Sequence, residues 1–511
     1  MLVNQFLEGS ARRHPDKVAL IFKSQRLTYA DLEARANRLA NGLLNHGVQR
    51  GDRVAVHLSN SVEAVVAIFA ILKAGAVFSV INHTTKFNKL VYILNNCQAT
   101  ALITTEREGG QNDMVMDAVP SLKFVMFCGK QSSQMAAQRD DFLAYETIIE
   151  AHSPHRPLCH NIDIDLACLI YTSGSTGDPK GVMSTHFNMV AAASSIIKYV
   201  ENIHEDIVIN VLPFSFDYGL YQLLMVFKFG GTLVLERSFA YPAAVLRLME
   251  REQVTGFPGV PTVFATILQM DLSKYDLSAL RYITNTAAAL PVSHIQELRA
   301  KFPGATLYSM YGLTECKRVS YLPPEELDRR PGSVGIAIPN TEVWVVDEQG
   351  KRVERGVIGE LVVRGSHVMQ GYWNNPEGTA RRYRPGRYPA ERILYTGDLF
   401  KTDEDGFLYF VGRKDDIIKS RGEKVAPKEI ENVLYGLEGV TEAAVIGVHD
   451  EIMGQAVKAF VVCEANHQLT ERDVLRHCAQ HLEDLMMPKY VELCSSLPKT
   501  TSGKIKKADL H

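Results

Sequence analysis

The chain has 511 residues, 46% of them hydrophobic, enough to bury more than one core, and its length suggests roughly two to four domains of a large soluble protein. Its 55 basic and 58 acidic residues leave a formal net charge of -3 with no single-sign block, so nothing marks a nucleic-acid partner and any anionic ligand has to be held locally. The eight cysteines form no Cys-x-x-Cys pair and no metal-type cluster with histidine, and are read as buried, reduced thiols.

In chain order, the start MLVNQFLEGSARRHPDK lacks the basic flank and long apolar core of a signal peptide, and a cytoplasmic location is expected. The most apolar window, residues 62–81, is broken by Lys73 and Gly75, which argues against a membrane span. Buried strands are predicted at 53–59 (RVAVHLS), 100–105 (TALITT), 123–129 (KFVMFCG), 206–214 (DIVINVLPF) and 232–236 (TLVLE). Helical spacing of apolar residues marks 61–75 and 243–253. This alternation predicts an α/β fold with helices on both faces of parallel, doubly wound sheets. From about Val343 shorter strands with turn signals (343–352, 359–365, 406–413) predict an antiparallel or barrel-like subdomain. The charged, glycine-rich GRKDDIIKSRGEKV then leads into about ninety residues of renewed β/α alternation, and the domain boundary is placed near Asp415, giving domains 1–414 and 415–511.

The stretch IYTSGSTGDPKGV, residues 170–182, carries the chemistry. Glycines at 174, 177 and 181 let backbone N–H groups converge, the hydroxyls of Thr172, Ser173, Ser175 and Thr176 add short donors, and Lys180 adds a mobile positive charge. Phosphate is the natural guest, and a solvated Ser/Gly turn is the competing reading. A Walker A loop is disfavoured, because its lysine sits in Gly-Lys-Ser/Thr and this one sits in Pro-Lys-Gly.

TSGSTGDPKG resembles the phosphate-loop signature of the adenylate-forming superfamily, which includes acyl-CoA synthetases, adenylation domains of nonribosomal peptide synthetases, and luciferases. Matching motifs follow in the family's order: LKAGAVFSVIN at 72–82, YGLTE at 311–315, GELVVRG at 359–365, YTGD at 395–398, GRKDDIIKSRGEKV at 412–425 and PKTTSGKI at 498–505. The resemblance covers essentially the whole chain. It implies a large N-terminal adenylation domain followed by a small, mobile α+β lid. The implied activity joins a carboxylate to the α-phosphate of ATP, releases pyrophosphate, and passes the acyl group from the acyl-adenylate to a thiol or an amine.

The same resemblance implies roles. Thr172, Ser173, Gly174, Ser175, Thr176, Gly177 and Lys180 would hold the β- and γ-phosphates, Glu315 and Thr176 would hold Mg2+, and Thr314 would meet the α-phosphate. Tyr311, Gly312 and the backbone of Ala287, Ala288 and Ala289 would receive adenine; Asp398 and Arg413 would receive ribose. Lys504 would be the catalytic cation of the first step, Asp415 the hinge, and Lys419 and Gly422 the groups turned toward the site for the second. The acyl pocket is expected around Phe216, Asp217, Tyr218, Asn285, Thr286 and Met310. Asp217 has two readings, a partner for a substrate amine or a helix-capping or pocket carboxylate. Phe216, Asn285-Thr286 and Ile81-Asn82 depart from the acyl-CoA synthetase pattern. The expected acceptors are coenzyme A, the phosphopantetheine of a separate carrier protein, or an amine. The alternatives are a stand-alone amino-acid adenylating enzyme and a non-catalytic nucleotide-binding regulator, which the intact Lys504, Glu315 and Lys180 oppose.

Overall fold

The computed structural model describes residues 1–511 except 107–110, 174–177, 287, 289, 390, 421–422, 451–453, 465–466, 468 and 501–502. Two large sheets dominate the first part. The seven-stranded sheet runs in the order Phe142–Ala144, Phe124–Phe127, Ala99–Thr104, Arg53–His57, Val77–Val80, Leu166–Ser173, Pro179–Thr185, and its strands are parallel except for the final pair. The nine-stranded sheet holds a parallel run made of Thr306–Tyr311, Tyr282–Asn285, Gly256–Gly259, Ile207–Asn210, Thr232–Leu235 and Val18–Phe22, with antiparallel strands at both edges.

Period-two alternation explains how the seven-stranded sheet is covered on both faces. Val54 and Val56 point into the core shared with the nine-stranded sheet, while Ala55 between them points to a second core against Leu90, Ile93 and Leu94 of the helix Phe87–Asn96. In the shared core the helices Val62–Lys73 and Asp217–Phe229 meet through Phe69 and Phe227, whose rings stack at 5.4 Å. Burying side chains of that size contributes roughly 2 to 3 kcal/mol each. Lys73, which interrupts the apolar window, is 1% exposed and is compensated by Glu8 at 3.0 Å and Glu33 at 2.7 Å. A helix ending in a buried, paired lysine, followed by the strand Val77–Val80, accounts for the apolar window. No helix among the described residues is long and apolar enough to cross a membrane.

Thr341–Val346, Gly359–Gly365, Arg392–Thr402, Tyr383–Pro385 and Leu408–Arg413 form the expected antiparallel unit, with the last strand paired to Arg392–Thr402. After Arg413 a separate sheet begins, built on the long hairpin Val440–Asp450 and Gly454–Cys463, backed by the helices Pro427–Tyr435 and Glu471–His481. All eight cysteines are free, but Cys159, Cys463 and Cys494 are only partly buried, a correction to the reading of uniformly buried thiols.

Candidate active site

The parallel strands of the nine-stranded sheet end toward one cleft, as open α/β sheets place their sites. Asn285 and Tyr311 are the last residues of adjacent strands there, and the segment 211–216 follows the strand Ile207–Asn210 into the helix headed by Asp217.

The phosphate-loop candidate is flanked by two antiparallel strands, Leu166–Ser173 and Pro179–Thr185. Thr172 faces Lys180 and Ser173 faces Pro179 in their register. Gly174, Ser175, Thr176 and Gly177 lie outside the described residues, as does the side chain of Ser173. The strand pair is strapped to residues 371–373: the Trp373 N–H donates to the Gly181 carbonyl at 2.8 Å and the Met183 N–H to the Gly371 carbonyl at 2.9 Å. Between them stands Tyr372, whose ring lies 5.8 Å from Lys180 Nζ and whose hydroxyl donates to Glu315 Oε1 at 2.6 Å. Tyr372 therefore connects the base of the phosphate loop to the proposed metal carboxylate, a link between residues 57 positions apart that no motif signals. Burial, then the neighbouring Glu315 charge, push the Tyr372 hydroxyl up, so it stays a donor at neutral pH.

Glu315 and Thr314 sit on the tight turn after Tyr311. The turn closes through Lys317 N–H to the Leu313 carbonyl, at 2.7 Å, and Val319 N–H to the Tyr311 carbonyl, at 2.9 Å. Gly312 is required there, because a Cβ on it would stand 2.1 Å from the Lys317 carbonyl oxygen. Tyr311 leans edge-on against Phe400, centroids 4.9 Å apart, and donates its hydroxyl to Asp398 Oδ2 at 2.5 Å. Arg413 Nε donates to the other oxygen, Asp398 Oδ1, at 2.9 Å. Asp398 is 4% exposed, and each of its oxygens keeps a further lone pair for an incoming hydroxyl. Burial and the Asp398 carboxylate hold the Tyr311 hydroxyl well above its ordinary value; the same carboxylate is the main influence raising Arg413.

Lys504 arrives from the C-terminal domain. Its loop is closed by Thr500 N–H to the Lys504 carbonyl at 2.7 Å, and by Lys504 N–H to Thr500 Oγ1 at 3.1 Å. The neighbouring Gly503 has φ +81, and a Cβ on it would lie 2.9 Å from Thr262 Oγ1, so the loop is seated on the helix Pro261–Leu268 of the large domain. Lys504 Nζ stands 5.8 Å from the Phe216 ring. Its side chain reaches solvent, but protein crowding its ammonium pulls it down; Asp217 opposes that, Arg413 adds to it, and Asp398 and Glu315 oppose it. The ammonium thus lies within the field of Asp217, Asp398 and Glu315 together.

At the residues expected to form the acyl pocket, Tyr218 donates its hydroxyl to the Thr284 carbonyl at 2.8 Å, and Asn285 Nδ2 donates to the Ala288 carbonyl at 3.2 Å. Ala287 and Ala289 lie outside the described residues. Met310 is buried beside the Tyr199 hydroxyl. Two residues missed in the sequence reading belong here. Lys317 Nζ is 3.8 Å from Asp217 Oδ2, and the Arg318 guanidinium lies 4.8 Å from the Tyr218 ring, with Nη1 3.4 Å from Thr286 Oγ1. Both are buried, and a Lys-Arg pair directly after YGLTEC was the available signal. Lys419 is described only as backbone in the strand Ile418–Ser420, paired with Lys424, and Gly422 lies outside the described residues. Asp415 is exposed in the turn between Arg413 and that strand.

Residues 7–373 match the family model of the AMP-binding enzymes, and residues 429–504 that of the AMP-binding enzyme C-terminal domain. The chain is 32% identical to a long-chain-fatty-acid–CoA ligase of Bacillus subtilis (strain 168), over 98% of this chain and 93% of that protein. The anthranilate CoA ligase AuaEII, solved with anthranoyl-AMP, superposes with a TM-score of 0.90 at 26% identity, covering 100% of this chain and 96% of that one. ATP-bound MatB from Rhodopseudomonas palustris gives 0.89 at 30% identity, covering 100% and 98%. With the strands flanking the phosphate-loop candidate, the Tyr311–Asp398–Arg413 cluster and Lys504 gathered at one cleft, the chain belongs to the AMP-binding enzyme family of the adenylate-forming superfamily and is an ATP-dependent, AMP-forming acid ligase.

Proposed function

We propose that this ligase forms acyl-coenzyme A thioesters, with the residues gathered at the cleft dividing the work of two half-reactions. In the first, a carboxylate oxygen of the acid attacks the α-phosphorus of ATP, the bond from that phosphorus to the bridging oxygen breaks, and pyrophosphate leaves. The barrier is largely repulsion between anions, so cations fixed where charge develops are the main catalytic resource. Lys504 is the cation for the carboxylate and α-phosphate, and Lys180 is the cation for the β- and γ-phosphates. Thr314, at the turn beside Glu315, meets the α-phosphate. Asp398, held by Tyr311 and Arg413, receives the ribose hydroxyls, and the exposed edge of Tyr311 faces adenine.

Glu315 is the residue that would hold Mg2+. Among the described residues no cluster of three or more His, Cys, Asp or Glu side chains could hold a metal by itself, which suits an ion that takes one carboxylate and draws its other ligands from phosphates and water. When bound, Mg2+ would neutralise triphosphate charge. The hydrogen bond from Tyr372 fixes the orientation of the Glu315 carboxylate for that task.

In the second half-reaction the thiol sulfur attacks the acyl carbon, AMP leaves with the bonding electrons, and the thiol proton passes to solvent or to AMP. Lys504 stands in the way of a thiol approaching the same carbon, so the C-terminal domain has to turn about Asp415 between steps, bringing Lys419 and Gly422 to the cleft. The observation that carries the reading is the seating of Lys504, on its own domain's loop, against the pocket residue Phe216 of the other domain. The coenzyme A ligases among the relatives support coenzyme A as the acceptor. The test is mass spectrometry of reactions containing ATP, Mg2+, a panel of acids and one acceptor at a time. A coenzyme A thioester is expected; acyl transfer only to an added carrier's phosphopantetheine, or only to an amine, would contradict it.

A further inference from the structure

A buried carboxylate at the head of a pocket is a place for a cation, and Asp217 is such a group. It is 8% exposed, on the first turn of the helix Asp217–Phe229, next to the Phe216 ring that Lys504 approaches. A substrate with an ammonium group near its carboxyl would find there the charge it needs. The position is already taken from inside the protein. Lys317 Nζ lies 3.8 Å from Asp217 Oδ2, with the lysine side chain 3% exposed and the carboxylate side chain 9% exposed. Lys317 reaches inward from a left-handed backbone position, φ 65, and its ammonium stands 4.9 Å from the Tyr221 ring without a hydrogen-bond acceptor among the described residues. Its only close charge of opposite sign among the described ion pairs is Asp217.

We infer that Lys317 is the resident counter-ion of Asp217 and a specificity-determining residue: it fills the place of a substrate ammonium, so that the pocket admits carboxylic acids lacking an amino group and turns amino acids away. This rests on the reading of the protein as a carboxylate-activating ligase. The physics is direct. A second ammonium brought to Asp217 would sit within a few ångströms of Lys317, and two like charges that close in a poorly solvated site repel each other strongly. Lys504 and Asp217 also attract each other, and Arg318 is close enough to Lys317 to repel it. Asp217 thus has Lys317 as its ion-pair partner before any substrate arrives.

The inference is tested by acid-dependent ATP–pyrophosphate exchange on matched pairs that differ only in an α-amino group, such as hexanoate with norleucine and 3-phenylpropanoate with phenylalanine. Wild type, Lys317→Ala, Lys317→Met, Asp217→Asn and the double variant Lys317→Ala/Asp217→Asn are compared by the ratio of kcat/KM for the amino member to that for the plain acid. A ratio is read because partial loss of folded protein cancels in it. Wild type should favour the plain acid; Lys317→Ala should raise the ratio by about tenfold or more, Lys317→Met by less, and the double variant should return it toward the wild-type value. Asp217→Asn should leave the plain acid favoured, a readout that stands even if the Lys317 variants fail to fold. A wild-type preference for the amino member that disappears in Asp217→Asn, or a folded Lys317→Ala with an unchanged ratio, would overturn the inference. The ligase reading fails differently, with no acid of any kind supporting exchange.

Discussion

Lys504 concentrates the account at the scale of one residue. It belongs to the small domain, yet its ammonium lies beside Phe216 and in the field of Asp217, Asp398 and Glu315 of the large one. A cation that stabilises only the first transition state should matter only there. Lys504→Ala is expected to slow adenylate formation by about two to three orders of magnitude while leaving thioester formation from supplied acyl-adenylate nearly intact. Single-turnover rates of the two half-reactions, measured separately, check this, and an equal fall in both would point to a structural role. Lys504, Asp398, Arg413 and Lys180 stand out in the sequence as candidates because each sits in a short motif. Tyr372 and Lys317 do not, since their partners Glu315 and Asp217 lie far along the chain, and a side-chain contact made by folding leaves no periodicity to read.

Among elements, the loop that carries Lys504 and the helix that receives it decide whether the cation reaches its place. The loop is bonded to itself between Thr500 and Lys504, and Gly503 lets it lie against Thr262 at φ +81. A side chain at such a position costs about 1 to 2 kcal/mol in backbone strain, and here the new Cβ would also press on Thr262 Oγ1. Gly503→Ala should therefore slow adenylation by roughly tenfold with little change in the thioester half-reaction, as measured by pyrophosphate release and by thioester formation from supplied adenylate. Strands at 53–57, 99–104, 124–127 and 232–235 fell where alternating or continuous apolar runs placed them, because burial on one or both sheet faces sets those patterns. The antiparallel pairing of the strands that flank the phosphate-loop candidate was not evident, since a glycine-rich segment reads alike between antiparallel strands and between a strand and a helix.

For the whole molecule, the chain is a large body of two α/β sheets and an antiparallel sheet, and a small sheet domain joined to it at an exposed turn. Among the described residues the two meet where Gly503 lies against Thr262, where Lys504 stands by the Phe216 ring, and where the His294 and Tyr435 rings approach to 5.9 Å. Asp415→Pro, which fixes φ at the proposed hinge, should preserve acid-dependent pyrophosphate release and abolish most thioester formation. Equal loss of both, with an unchanged melting temperature, would place the pivot elsewhere. The order of motifs along the chain made the two-part architecture legible, whereas the arrangement in which Lys504 occupies the cleft depends on packing between domains.

The central claim is that ATP is cleaved at its α-phosphorus by a carboxylate held in this cleft. Chromatography of the nucleotide products, with the candidate acid present and absent, tests it most directly. The account predicts AMP and pyrophosphate in equal amounts, formed only when the acid is supplied. Formation of ADP and inorganic phosphate, or acid-independent turnover, would contradict it.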